Sequence, residues 1–291
     1  MGFDINGITF LLAARAAGVS FARTAMIGRQ SLHITATHLN DRLRRFGMTK
    51  IRDTKTLLAA EQGYSEPLLK LIGAESVTSF DASPYEGASV VHDMNQPVAH
   101  EHHDHYSVVI DGGSLEHVFN FPQAMRNCMM MIAPGGHFLG ITPANNLFGH
   151  GFYQFSPELF YRVFSAETGF AVERMYVVEY APGASWMAVR DPAVVKKRVT
   201  LTNAFPTYLM VQARRVDGSK SLMRTPQQSD YVAEWSGINT VPPDSKRRID
   251  VHWRLKKLVR QVTPGSRRTR FNPEFFHAVS LDQLVKGEPL K

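Results

Sequence analysis

Three short β-rich runs, each ending in aspartate, constrain the fold of this chain more than any other feature. They are SVTSFD (76–81), ASVVHD (88–93) and YSVVID (106–111). Helical patterns alternate with such runs along the chain, which predicts an α/β fold whose mostly parallel sheet is covered on both faces. Because ligands of open parallel sheets bind outside the carboxyl ends of the strands, we expect Asp81, Asp93 and Asp111 to border one crevice.

The remaining periodic segments complete this pattern. Hydrophobic spacing and capping residues predict helices over 8–17, 34–47, 65–73, 121–134 and 156–169. Apolar β-rich runs predict further strands over 24–28, 137–142, 170–181 and 206–216. No clear helix separates the last two strands, so these strands could pair antiparallel at one edge of the sheet.

The chain changes character after residue 217, which predicts two parts, 1–217 and 218–291. Residues 218–247 are rich in Ser, Gln, Pro and Gly and predict an extended connector. The segment 250–262 predicts a basic amphipathic helix, expected to pack on the first part or across a homodimer. Binding of this helix to an anionic membrane surface is the minor alternative. Much of the net charge of +7 lies near this end, and a solvated face is the preferred interpretation of it.

Cysteine and histidine usage bears on location and metal binding. The single cysteine, Cys128, allows no disulfide within one chain and fits a reducing cytoplasm, and its apolar neighbours predict a packed helix position. The apolar run 8–17 is far too short to cross a bilayer, so a soluble, cytoplasmic protein is expected. The motif HEHHDH (100–105) has no fixed spacing that converges on one ion, so we expect a solvated loop and no metal.

Four motifs together resemble the class I S-adenosylmethionine-dependent methyltransferases. They are SFDAS (79–83), HDMNQP (92–97), YSVVIDGGSLEHV (106–118) and MRNCMMMIAPGGHFLGITP (125–143). The resemblance covers about residues 20–216. It implies a doubly wound, Rossmann-like sheet of seven strands with the last strand inserted antiparallel, followed by a C-terminal extension. It also implies S-adenosyl-L-methionine as the cofactor.

The resemblance assigns cofactor-binding roles by position. Asp81 would hold the ribose hydroxyls, and Asp93 with Met94 would face the adenine. Asp111 and Gly112 would lie near the methionyl end, where a small residue lets the backbone approach closely.

The first loop departs from the family, since MIGRQSLHI contains Gly28 but no further glycine. Gly28 and Gln30 are therefore expected to line the cofactor site, with Arg29 and Ser31 shaping the same loop.

The acceptor side is expected to combine an acid, two histidines and a loop rich in aromatic residues. His117 is a candidate general base, because a neutral imidazole can remove a proton from a hydroxyl or an amine. In the alternative interpretation Glu116 only caps a helix that begins there, and His117 only packs. The loop 143–158 offers Asn146, His150 and Tyr153 as substrate ligands, unless its aromatic rings merely close the core.

Two functional classes follow, an enzyme and a binding protein. The first is an O- or N-methyltransferase acting on a small or medium-sized metabolite of sugar or secondary metabolism. The second is a non-catalytic, methyltransferase-like binding or scaffold protein, which the missing glycine-rich loop allows. Only the basic tail supports a methyltransferase of nucleic acid. A nucleic-acid partner is not expected, because the sequence contains no recognised nucleic-acid-binding motif.

Overall fold

A computed structural model describes residues 2–49, 53–181, 183–219, 225–236 and 271–289. The strands of these residues are β1 (Gly2–Phe3), β2 (Arg23–Ile27), β3 (Ser31–Leu32), β4 (Ser76–Asp81), β5 (Val90–Val91), β6 (Tyr106–Asp111), β7 (Ile132–Asn145), β8 (Phe170–Glu179), β9 (Trp186–Val189), β10 (Thr207–Arg215) and β11 (Phe276–Val279). The α-helices are α1 (Ile5–Ala16), α2 (Ala36–Arg45), α3 (Thr54–Ala59), α4 (Glu66–Leu71), α5 (Phe121–Met131), α6 (Pro157–Val163), α7 (Pro192–Val195), α8 (Ser229–Trp235) and α9 (Leu281–Lys286).

The main sheet is mixed, and within the described residues it has nine strands in the order β11-β9-β8-β10-β7-β6-β2-β4-β5. The pairs from β5 through β4, β2 and β6 to β7 are parallel. The pairs from β7 through β10, β8 and β9 to β11 are antiparallel. The prediction of a mostly parallel, seven-stranded sheet is therefore not confirmed, since the described sheet has nine strands and four of its eight neighbouring pairs are antiparallel. The α/β class is correct, and β10 lies between β7 and β8, antiparallel to both.

The two additional strands were missed because they are short. β9 and β11 contain four residues each; β9 lies between two predicted strands, where no element is predicted, and β11 lies in the tail after the predicted basic helix. Runs of this length show no period that separates a strand from a loop. They extend the antiparallel edge of the sheet beyond β8.

Strand order reverses at β2, and in open α/β sheets the ligand crevice lies at such a point. From β2 the chain forms β4 and β5 on one side and then crosses to β6 and β7 on the other. Ile27 lies opposite Phe80 of β4 and opposite Asp111 of β6. Asp81 and Asp111 therefore end their strands at the same edge of the sheet, as predicted, and Asp93 follows β5 at that edge.

Both faces of the sheet are buried, as the continuous apolar strands predict. Successive residues of β6 point to opposite sides, so Val109 joins one core cluster while Val108 and Ile110 join the other. Cys128 is buried in α5, in the packed position expected for it.

Two element boundaries differ from the predictions. α5 ends at Met131 instead of continuing to Pro134, because Ile132 already pairs with Tyr106 of β6 at the start of β7. Glu116 and His117 do not begin a helix, since they belong to a short 3-10 turn and α5 starts at Phe121.

The C-terminal segment 271–289 packs against the sheet and α1. β11 pairs with β9, and Leu284 of α9 is buried in the core cluster that α1 also enters. Arg174 of β8 donates a hydrogen bond of 2.7 Å to the carbonyl of Gly287. The predicted basic helix 250–262 lies outside the described residues, and the division at residue 217 stays a prediction.

Among the helices of the described residues, none combines the length and the apolar content that a membrane span requires.

Candidate functional site

Gly28 makes a turn at the end of β2 that only glycine fits. Its φ is +69°, and its amide donates a hydrogen bond of 2.7 Å to the carbonyl of Phe80. A Cβ atom at this position would lie 2.4 Å from the Ser114 Oγ. The turn therefore holds the loop after β2 directly against the loop after β6, at the switch point of the sheet.

Gln30 fills the space between these two loops. Its side chain is buried, and its Nε2 donates to the carbonyl of Ile27 at 2.9 Å and to the Ser114 Oγ at 3.0 Å. Its Oε1 is buried and has no hydrogen-bond partner in the part of the chain that the structure describes. A polar oxygen left in this way is costly, so this atom is a ready acceptor for a donor from a ligand.

Phe3 also reaches this place and was missed by sequence reasoning. A Cβ atom on Gly112 would lie 2.7 Å from the Phe3 ring and 2.9 Å from the Gln30 side chain. The close backbone approach expected at Gly112 is thus made to Phe3 and Gln30. The parallel pairing of β1 with β3 brings Phe3 there, and two-residue strands carry no detectable sequence signal. The one local signal is Asp4, which caps α1 and fixes the direction of the chain after Phe3.

The acids beyond β4 and β5 differ in their environments. Asp81 is partly exposed, and its Oδ1 accepts from the amide of Ser83 at 3.1 Å. Asp93 is exposed and accepts from the backbone amide and the side-chain amide of Asn95, and these hydrogen bonds lower its pKa. Met94 is buried beside it. Asp81 is therefore the better placed of the two acids to accept hydrogen bonds from vicinal hydroxyls.

Asp111 and Glu116 form a buried pair of carboxyl groups. The Asp111 Oδ1 accepts from the amides of Ser114 and Leu115 at 2.9 and 3.2 Å. The Asp111 Oδ2 and the Glu116 Oε2 are buried and have no partner among the described residues. Burial raises the pKa of Asp111 to about 7. Burial, together with the neighbouring Asp111, raises the pKa of Glu116 to about 8. Such a pair favours a proton or a bound cation near neutral pH.

Glu116 and two histidines converge beside this pair. The Glu116 Oε1 lies 3.4 Å from the His150 Nε2, and the rings of His117 and His150 have centroids 5.1 Å apart. One ligand atom from each of the three residues lies within 4.8 Å of the others. Partial burial of the ring lowers the pKa of His117, and His150 lowers it further, so the neutral imidazole is favoured.

Gly151 lets the loop that carries His150 come this close. Its φ is +73°, and a Cβ atom would lie 2.8 Å from the Glu116 carbonyl oxygen. The same carbonyl accepts from the amide of Phe152 at 2.8 Å. His150 and Glu116, distant in the sequence, therefore meet through a backbone contact of Gly151 with Glu116 that requires glycine.

The other two residues predicted to bind the methyl acceptor, Asn146 and Tyr153, make hydrogen bonds to other parts of the protein. The Asn146 amide donates to the carbonyls of Asn203 and Phe205 and to the Asn203 side chain. The Tyr153 hydroxyl donates to the Phe119 carbonyl at 2.7 Å. Among the loop's rings, Phe155 is buried in the core, whereas Phe148 and Phe152 are exposed. The loop thus closes the core and also presents apolar rings to solvent.

Tyr208 is a further neighbour of the site that sequence reasoning missed. Burial raises its pKa, and the charges of Asp4 and Glu116 contribute to that shift. Its ring lies 6.3 Å from that of Tyr180, which is exposed. A tyrosine inside a strand looks like an ordinary core residue in the sequence, so only the pairing of β10 with β7 reveals its position.

The histidines of HEHHDH make separate contacts. The His102 Nδ1 lies 3.0 Å from the Tyr106 hydroxyl, and the His103 Nε2 lies 3.3 Å from the Val98 carbonyl oxygen. The rings of His100 and His103 are 4.5 Å apart. Among the described residues, the group with metal-ligand spacing is instead Glu116, His117 and His150.

A separate cavity of about 420 Å³ lies between α6, α7 and α8, away from the crevice. Arg162, Lys196 and Asp230 are among its lining residues. Arg162 pairs there with Glu158 and Asp191, and Asp230 pairs with Arg198. These ion pairs account for most of the charge near this cavity, so it is the weaker candidate for a ligand site.

No protein-family model and no curated protein matches the sequence. Among solved structures, the N-methyltransferase NodS from Bradyrhizobium japonicum WM9, in complex with S-adenosyl-L-homocysteine, is 10% identical, with 72% of this chain and 84% of that chain covered and a TM-score of 0.37. YcgJ from Bacillus subtilis is 9% identical, with 72% and 99% covered and a TM-score of 0.39. The [4+2]-cyclase SpnF is 13% identical, with 72% and 80% covered and a TM-score of 0.41. Methyltransferases are thus among the structures similar to this chain, as a distant likeness of fold alone.

Proposed function

We propose that the chain is an S-adenosylmethionine-dependent methyltransferase with a small-molecule acceptor. One observation carries the proposal: within the described residues, two buried acceptor oxygens have no partner where β2 and β6 end. They are the Gln30 Oε1, in the loop after β2, and the Asp111 Oδ2, at the end of β6. A ligand with an ammonium group and a sulfonium centre supplies the donor and the positive charge that such oxygens lack.

The crevice residues fit the remaining parts of this cofactor. Asp81 would accept hydrogen bonds from the ribose hydroxyls, and Met94 with Asp93 would border the adenine. Gln30 and Asp111 would face the amino-acid end, close to Gly28 and Gly112. The bound cofactor supplies an activated methyl group, and the protein then has mainly to align the acceptor with it.

The acceptor end would be formed by Glu116, His117 and His150. His117 is exposed, and its lowered pKa leaves the imidazole free to take a proton from a hydroxyl or an amine. The exposed rings of Phe148 and Phe152 provide an apolar rim beside these groups. An acceptor with one polar atom on an apolar body, as in secondary metabolites, matches this mixture. Asn146 and Tyr153 would act through the shape of the loop.

The competing function is that of a non-catalytic binding or scaffold protein. One observation favours it: Phe3 and Gln30 occupy the space next to Gly112 that a methionyl group would approach. Cofactor binding then requires these two side chains to move, and a protein in which they stay fixed would not bind the cofactor.

Calorimetric titration of the full chain with S-adenosylmethionine and S-adenosylhomocysteine tests the proposal. We expect saturable binding of both, weakened at least tenfold in Asp81→Ala and unchanged in Asp41→Ala. Asp41 is the matched control because it is an exposed acid of α2 that pairs only locally with Arg45. Absence of binding of either compound at millimolar concentration would exclude the enzyme and leave the binding or scaffold function. A cytoplasmic location and a homodimer stay predictions, to be tested by fractionation and by sedimentation.

A further inference from the structure

We propose that Glu116, His117 and His150 bind a divalent first-row transition-metal ion such as Zn²⁺ or Co²⁺. The role of such an ion in methyl transfer rests on the proposed function, but the binding itself does not. The acid comes from the 3-10 turn after β6, together with the first histidine, and the second histidine comes from the loop after β7.

The distances suit one small ion. Ligand atoms about 2.0–2.1 Å from a tetrahedral Zn²⁺ lie roughly 3.3 Å from one another. The Glu116 Oε1 and the His150 Nε2 are 3.4 Å apart, and all three donor atoms lie within 4.8 Å. His117 is exposed, so its side chain is free to change rotamer when an ion binds.

A positive ion at this place would stabilise Glu116. Its side chain is 1% exposed, and its Oε2 has no hydrogen-bond partner among the described residues. A second buried acid, Asp111, lies beside it. A buried carboxyl group with an unsatisfied oxygen is costly, and a dication bound by Glu116 would offset both its charge and its missing hydrogen bond.

The loop is built to hold His150 against Glu116. The His150 amide donates to the Leu147 carbonyl at 2.9 Å, and the Phe152 amide donates to the Glu116 carbonyl at 2.8 Å. Gly151, between these two anchored residues, has no room for a side chain against Glu116. His150 is thus fixed from both sides.

The donor set selects the class of ion. Two imidazoles and one carboxylate suit Zn²⁺, Co²⁺, Fe²⁺ or Ni²⁺, whereas Mg²⁺ and Ca²⁺ prefer oxygen ligands throughout. Three protein ligands leave coordination positions open for oxygen atoms of a methyl acceptor. In the metal-bound protein His117 is a ligand rather than a base, and the ion itself lowers the pKa of a bound hydroxyl.

Metal binding by the full chain is the test, after dialysis against a chelator. Co²⁺ is titrated and followed by its visible absorption, and Zn²⁺ is titrated by calorimetry. We expect one ion per chain at this site, with at least tenfold weaker binding in His150→Gln and in His117→Gln. The double variant His100→Gln/His105→Gln, in the histidine-rich segment, should bind as the wild type does. Circular dichroism and thermal unfolding confirm that each variant is folded.

Three results would overturn the inference. They are no binding in the micromolar range, unchanged affinity in both His117→Gln and His150→Gln, and loss of the site in the His100/His105 double variant. Titration of S-adenosylhomocysteine into the metal-free protein separates this inference from the proposed function. Binding of that compound without any metal site leaves the methyltransferase proposal intact, and a metal site without binding of that compound leaves only the metal site.

Discussion

The two halves of the main sheet differ in how their acidic side chains are paired. At the carboxyl edge of the parallel half, Asp111 and Glu116 each have a buried oxygen with no hydrogen-bond partner among the described residues. In the antiparallel half, Glu173 accepts from the Gln212 amide at 2.7 Å. The buried glutamines do not differ in this way, since Gln30 and Gln212 each have an Oε1 with no partner in the described part of the chain. The acids of the parallel half are thus left open, whereas Glu173 links β8 to β10.

The largest effect is expected where α9 holds the C-terminal segment against α1. Leu284→Ala should lower the free energy of unfolding by about 3 kcal/mol, because it opens a cavity at a buried leucine. Leu281→Ala, on the same helix but only partly buried, is the matched control and should cost less than half as much. Urea unfolding measures both. Equal and small losses would mean that α9 does not stabilise the sheet.

Gly28→Ala should lower the free energy of unfolding by about 2 kcal/mol. About half of this loss comes from the left-handed backbone conformation, and the rest comes from the contact of the added Cβ atom with Ser114. Gly47→Ala isolates the first part, since Gly47 has a φ of +75° and no neighbouring atom within 4 Å of an added Cβ. Urea unfolding of the two variants gives the difference. If they lose the same stability, the two strand-end loops are not in the close contact described.

The same substitution made in each half, Gln30→Leu and Gln212→Leu, compares the two halves directly. Both glutamines are fully buried, and both donate hydrogen bonds through Nε2, so each change should cost about 1 kcal/mol of stability. Only Gln30→Leu should weaken the binding of S-adenosylhomocysteine, by about tenfold, a loss of about 1.4 kcal/mol. Equal effects of the two variants on calorimetric affinity would remove the distinction between the halves.

The smallest effect is a pH dependence in the antiparallel half. The hydrogen bond from His137 holds the pKa of Glu173 below its ordinary value. This hydrogen bond therefore stabilises the folded protein at a pH above the pKa of Glu173 in the unfolded chain, about 4.3. The stabilisation is lost as the pH falls through the pKa of Glu173 in the folded protein. Because Glu173 is partly exposed, the contribution should stay below about 1 kcal/mol. Thermal unfolding between pH 6 and pH 3 should show a smaller loss for Glu173→Gln than for the wild type. An equal loss of thermal stability with falling pH in the two proteins would contradict this prediction.

The parallel half could be predicted from the sequence because its strands are continuous apolar runs with acids at their ends. Asp81 and Asp111 reach one edge simply because their strands are parallel. β9 and β11 could not be predicted, since four residues have no usable period and their pairing depends on contacts distant in sequence.

The site was predictable in its residues and not in its geometry. Glu116, His117 and His150 were all expected on the acceptor side, but their convergence depends on Gly151 packing against the Glu116 carbonyl. The position of Phe3 likewise follows from a two-residue strand, β1, that pairs with β3. Both contacts join segments that the sequence pattern treats as independent.

A crystal structure of the full chain with S-adenosylhomocysteine tests the central claim most directly. We expect the ribose at Asp81, the adenine beside Met94, and the amino-acid end at Gln30 and Asp111, with Phe3 displaced. The sulfur atom should point toward the cluster of Glu116, His117 and His150. Two results would contradict this expectation. They are a ligand bound in the cavity near Arg162, and a crevice that Phe3 and Gln30 still fill at saturating ligand.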